Sequence, residues 1–260
     1  MHAITHLLRR TLATGTAAAV AAVLVTGAPA QAERTRVVTS NEDCHEVIVP
    51  RAVSTSGLRA LVPDRYDLVT LSATASRAYV ITLTCESVRV EPGGDSSPAR
   101  RTTITLGGAD LSARDGATTD DIYLLWYGTD NPEEAAKLRQ LGLPVTFQPL
   151  TSVSVSKDGA TNTLAWDVRG GGIDYRIDAI GIEPSATVGT SGVTWLHDGP
   201  EGTVRMAFDN RVRPASTALV SADFSQLEPL VPILASPVRP TGVRFGYIRG
   251  DWTLTAEVVG

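Results

Sequence analysis

The chain has 260 residues, 43% hydrophobic and 20% charged, with a formal net charge of −5. An acidic chain without a basic run argues against nucleic acid or anionic membrane as partners. Arginine outnumbers lysine 21 to 2, which reads as GC-rich bacterial coding rather than function.

Residues 1–32 read as a secretory signal peptide. Arg9 and Arg10 make a positive n-region, an apolar Ala/Val/Leu stretch runs from Thr11 to Val25, and "GAPAQA" places Ala30 and Ala32 at the −3 and −1 positions of a cleavage site before Glu33. The stretch is too short and alanine-rich for a permanent span, and the arginine pair also admits twin-arginine export. Removing 32 residues from 260 leaves 228, and losing two arginines takes the charge from −5 to −7. The expected product is a secreted or extracytoplasmic protein with no stable membrane insertion, a single β-rich domain over residues 33–260.

Cys44 and Cys85 are the only cysteines. An even count in an exported chain points to a disulfide between them. No further Cys or His stands at ligand spacing, so no metal site is expected.

Along the chain, "STSGLRALVPDRY" reads as a short helix closed by Pro63, with Leu58, Leu61 and Val62 on one side. "AYVITLTCESVRV" alternates Tyr79, Ile81, Leu83 and Cys85, then shifts phase to Val88 and Val90; an extra residue at Glu86–Ser87, a β-bulge, does this. "DNPEEAAKLRQLGLPV" is the clearest helix. Asn131 is the N-cap, Pro132 occupies N1, Glu134 at N3 can reach back as in a capping box, and Gly142 ends it. Ala135, Leu138 and Leu141 form its buried stripe. "TNTLAWDV" and "IDYRIDA" around "RGGG" read as a hairpin, "TVRMAFDN" as a strand, and "GVRFGYI" and "WTLTAEVV" as a final hairpin turning at Arg249-Gly250-Asp251.

The rare lysines raise the question of imine chemistry, which needs an apolar pocket or a second cation beside the amine. Lys137 has Glu133 four residues before it on a solvated helix face, and Lys157 sits in an Asp-Gly turn. Neither setting lowers a lysine pKa. After leader removal only His45 and His197 remain, and no G-x-S-x-G is present. His197 and Asp198 are adjacent and so point apart. The carboxylates of "TTDDIY" match no calcium-loop spacing.

The features "LVPDRY", "YVITLTCESVRV", "DIYLLWYGTDNPEEAAKLRQLGLPV", "GVTWLHDGPEGTVRMAF" and "VRFGYIRGDWTL", in that order, resemble the acetoacetate decarboxylase-like superfamily over residues 44–258. The resemblance implies a mainly β (α+β) fold: a closed or nearly closed antiparallel β-barrel or cone around an internal cavity, with a few short helices outside. Family enzymes use a lysine imine whose pKa a neighbouring lysine lowers. This chain has no lysine pair and neither lysine lies in a matching stretch, so no catalytic residue and no cofactor carries over.

Two functions fit. One is an exported binding protein whose barrel holds a small apolar or carboxylate-bearing molecule, with Trp126, Trp195 and His197 as ligand contacts and Arg244 as a carboxylate partner. The other is an exported lyase or hydrolase working with acid/base residues other than lysine. A ligand-free envelope interaction protein is the plainer third reading. The first expectation open to measurement is the processing site: intact mass of the exported protein should give Glu33 as residue one, and retention of the apolar stretch would make it membrane-anchored instead.

Overall fold

The computed structural model describes residues 36–91, 99–112, 121–159, 161–169, 173–182, 189–212, 216–227 and 245–259. The signal segment with its Ala32–Glu33 boundary, and Arg244, lie outside the described residues. Among the described residues no helix is long and apolar enough to cross a membrane.

The elements are β1 (Arg36–Ser54), α1 (Thr55–Arg59), β2 (Ala75–Glu91), β3 (Arg100–Asp110), β4 (Asp121–Thr129), α2 (Pro132–Gln140), β5 (Val145–Phe147), β6 (Leu150–Asp158), β7 (Thr161–Arg169), β8 (Ile173–Ile182), β9 (Gly189–Gly199), β10 (Gly202–Val212), β11 (Ser216–Leu227) and β12 (Phe245–Val259). Seven strands close a ring in the order β1-β2-β3-β4-β9-β10-β12, with β12 pairing back to β1. The barrel is mixed rather than wholly antiparallel, because β9 runs parallel to β4 through Asp121–Tyr123 and Thr194–Leu196. The cause is the excursion through β5–β8 between these two strands. A strand that returns by a long crossover, not a hairpin, can lie parallel to its neighbour.

Strands β6–β8 of the excursion and the later β11 build a second sheet, β11-β8-β7-β6, joined to the ring where β11 pairs with the start of β12. The expected 161–180 hairpin is present, pairing Leu164, Trp166 and Val168 with Ala179, Ile177 and Tyr175. These six side chains are buried against Val47, Val49 and Val80 on the outer face of the barrel wall. Trp166 Nε1 donates to Thr84 Oγ1 at 2.8 Å, and the Tyr175 hydroxyl bonds Thr105 Oγ1. Both faces of β1–β3 are therefore covered: one looks into the barrel, the other into this second core.

Bulges keep the inward phase. The register of β2 against β3 shifts between Cys85 and Val88, as the hydrophobic pattern anticipates. β1 shifts at the same level, between Asn41 and Cys44, where Asp43 adopts φ 50°. Cys44 and Cys85 lie directly opposite each other just beyond these shifts, with Cα atoms 3.9 Å apart, and form the expected disulfide.

The final hairpin does not form. β12 runs unbroken through Arg249-Gly250-Asp251, pairing with β1 on one edge and β10 on the other. Arg249 ion-pairs with Asp43 at 3.0 Å, and the Asp43 amide donates to the Asp251 carboxylate at 2.9 Å, so the tripeptide secures the β1 bulge. Leu61 also departs from expectation. α1 ends at Arg59, so Leu61 falls beyond the helical face and is 37% exposed while Leu58 and Val62 are buried.

In α2 the Asn131 side chain accepts from the amides of Glu133 and Glu134 at 3.1 and 3.3 Å, and Gly142 ends the helix at φ 85°. Glu134 does not close a capping box. The Asn131 amide donates instead to Thr129 Oγ1. The Glu134 carboxyl is fully buried and accepts from the Tyr127 hydroxyl at 2.8 Å and Thr129 Oγ1 at 2.6 Å. Ala135, Leu138 and Leu141 are buried as expected.

Two stability measurements follow from this arrangement. The disulfide closes a loop with a sequence separation of 41, which the chain-entropy treatment rates at about 4 kcal/mol. The Cys44→Ala/Cys85→Ala variant should lose stability of that order in chemical denaturation; a loss below about 1 kcal/mol would show that the covalent link contributes little.

Burial raises the Glu134 carboxyl from 4.5 to about 7, against the lowering effect of its Thr129 and Tyr127 hydrogen bonds. A pKa raised in the folded state gives stability that is complete below the unfolded value and is lost as pH rises through the folded one. The wild type should therefore lose up to about 3 kcal/mol relative to Glu134→Gln between pH 5 and pH 8. A difference that stays flat over that range would show that Glu134 does not titrate there.

Candidate functional site

The strand alternation that builds the barrel turns one side chain in two toward its centre. There the inward residues leave a pocket of about 210 Å³. All seven ring strands contribute to its lining: Glu46 and Ile48 from β1, Tyr79 and Ile81 from β2, Leu106 and Asp110 from β3, Ile122 from β4, Val193 and Trp195 from β9, Phe208 and Asn210 from β10, and Ile248 and Trp252 from β12. Trp195, Phe208 and Trp252 form a continuous aromatic wall, with ring centroids 6.4 and 6.0 Å apart. Gly108 makes room for it: a Cβ there would stand 2.6 Å from Trp195 Cζ3 and 2.5 Å from Ile122 Cγ2.

Polar groups are few and unevenly satisfied. Asp110 is held by an ion pair with Arg77 and lies 3.4 Å from the Tyr79 hydroxyl. Among the described residues, Glu46 Oε2, Asn210 Oδ1 and Trp252 Nε1 are buried without a hydrogen-bond partner. Asn210 and Trp252 are directly paired across β10 and β12, and Asn41, whose Oδ1 also lacks a partner, faces Trp252 across β1 and β12. Burial raises the Glu46 carboxyl well above the usual carboxylate range.

Of the anticipated contacts among the described residues, Trp195 lies in this lining and Trp126 and His197 do not. Trp126 packs in the outer core and donates from Nε1 to Thr146 Oγ1 at 3.1 Å. His197 is half-buried; its Nδ1 donates to the Leu124 carbonyl at 2.9 Å, its ring lies 5.7 Å from that of Tyr123, and burial lowers its pKa. It does not pair with Asp198, whose carboxylate accepts from Arg65, the Tyr66 hydroxyl and Thr203 Oγ1. Lys137 on α2 and Lys157 on β6 are both outside the pocket lining, and no lysine is among its described residues. Among the described residues no group of three or more His, Cys, Asp or Glu is placed to hold a metal ion.

Sequence reasoning missed Glu46, Asn210 and Trp252 as a group. Part of the signal was present for Glu46, which shares a strand face with Cys44 and Ile48, but β1 is buried on both faces and parity does not say which one is inward. For Asn210 the parity of Met206 and Phe208 carried the same information.

No protein-family model matches the chain, and no curated protein does. Solved structures do. The chain is similar to acetoacetate decarboxylase, with 13% identity and a TM-score of 0.54 over 85% of this chain and 88% of that one. It is also similar to an enduracididine biosynthesis enzyme, solved with the condensation product of pyruvate and imidazole 4-carboxaldehyde, at 12% identity and a TM-score of 0.52 over 85% and 87% of the two chains. Identities this low speak to architecture, and on that level the chain has the acetoacetate decarboxylase-like fold.

Proposed function

We propose that this is an extracytoplasmic protein that binds a small, mostly apolar molecule in the barrel lumen, without forming a lysine imine. The observation that carries the reading is that three residues lining one apolar pocket, Glu46, Asn210 and Trp252, each hold a buried polar atom with no partner among the described residues. A buried polar atom left without a partner costs about 1–3 kcal/mol, and a ligand that supplies the missing bonds removes that cost. Few polar groups converging in an apolar recess is the usual composition of a small-molecule site. The Cys44–Cys85 disulfide supports an oxidising compartment. The position of both lysines outside the lining supports the non-imine half.

A lyase or hydrolase reading draws on one specific feature, the buried Glu46 carboxyl, whose pKa burial raises. A carboxyl held neutral in an apolar site can act as a general acid. The binding reading stands first because no second acid/base group in the lining is left without a partner.

Tryptophan fluorescence and melting temperature measured against toluene, benzamide, benzoate and butyrate test the binding half. At least one should quench saturably and raise the melting temperature, and Trp195→Leu should remove most of the quenching without unfolding the protein. Silence across the whole panel would end the binding reading. Borohydride after incubation with acetoacetate or pyruvate should add no mass; a stable adduct on Lys137 or Lys157 would overturn the non-imine half.

A further inference from the structure

Resting on that binding reading, we propose that the pocket selects uncharged ligands, a compact apolar body bearing one hydroxyl or carboxamide held between Asn210 Oδ1 and Trp252 Nε1, and rejects the matching carboxylate. Three observations carry this. Asn210 and Trp252 are directly opposed on neighbouring strands, so their side chains share the inner face, and one presents an unpartnered acceptor while the other presents an unpartnered donor. A hydroxyl can donate to the first and accept from the second at once, and a carboxamide can do so through its two heavy atoms. A carboxylate can only accept, so it leaves Asn210 Oδ1 unsatisfied.

Charge points the same way. Among the described residues, the acidic side chains of the lining are Glu46 and Asp110, no cationic side chain belongs to it, and Asp110 ion-pairs with Arg77. A ligand carboxylate would bring a further negative charge into a recess walled by residues such as Ile48, Ile81, Leu106 and Phe208. An unpaired buried charge is much more expensive than a hydrogen-bonded neutral group. The scale is also restrictive: 210 Å³ is about seven water volumes, which suits a single substituted ring or a short branched chain.

Titration of the whole protein at pH 7 with toluene, benzyl alcohol, benzamide and benzoate separates the possibilities. Benzamide and benzyl alcohol should bind about tenfold more tightly than toluene, the equivalent of one hydrogen bond, and benzoate more weakly than any of them. Asn210→Leu should bring the benzamide-to-toluene ratio toward one. If that variant does not fold, Trp252→Phe, which keeps a ring but removes the donor, should do the same. Benzoate binding as tightly as benzamide would overturn the selectivity and leave the binding reading intact. No saturable binding by any of the four would overturn both.

Discussion

The double pairing of β12 is the constraint on which the rest of the molecule depends. Its residues meet β1 from Arg36 to Ile48 on one edge and β10 from Thr203 to Val212 on the other. Without it the ring would open along two long edges, and open edges invite pairing with other chains. With it, seven strands enclose a space that side chains nearly fill, leaving room for at most one small molecule. The Cys44–Cys85 bridge and the Arg249–Asp43 pair both sit at the bulge that lets β1 follow this closure. Beyond Val212 the edge of β12 passes from β10 to β11, which is how the second sheet is hung from the barrel.

Both interiors of the protein bury polar groups. Between the barrel wall and the second sheet, Thr84 is bonded by Trp166 Nε1 and Thr103, and Thr105 by Tyr175. These buried hydroxyls and ring donors find partners within hydrogen-bond reach. In the lumen, residues of the same kinds are left open: Trp252 Nε1 has no acceptor although Trp166 Nε1 and Trp126 Nε1 both do. Asn162 Nδ2, on the same strand face as Leu164 and Trp166, is also buried without a partner among the described residues, so the lumen set is distinguished by belonging to residues that line one pocket rather than by being unpartnered.

Much of the architecture was legible because it rests on local periodicity. The alternation of Val204, Met206 and Phe208, the phase shift after Cys85 and the cap at Asn131 all depend on neighbours in sequence. The errors arose where a distant partner overruled a local signal. Arg249-Gly250-Asp251 has turn composition, yet β1 and β10 hold it straight from both sides. The parallel β4–β9 pairing joins strands separated by the whole of β5–β8, and no short stretch encodes it. Glu134 stands at the right offset for a capping box, but Tyr127 and Thr129, brought under α2 by the end of β4, capture its carboxyl. The pocket was the least legible part. β1 and β2 are buried on both faces, so parity groups Glu46 with Ile48 and Ile81 without saying which group faces the lumen.

The resemblance to acetoacetate decarboxylase is one of fold. An apolar lumen disfavours whichever form of an ionisable group carries charge. Placed there, a lysine would have its pKa lowered and would become a nucleophile near neutral pH, as imine-forming enzymes require. A carboxyl in the same place moves the opposite way and becomes a neutral hydrogen-bonding acid. This chain puts Glu46 in that position, and both its lysines lie outside the described lining. The desolvating barrel is thus the same physical device in either case. The identity of the side chain such a lumen encloses decides which form of it is favoured, so what this lumen can do follows from its own residues and not from the fold.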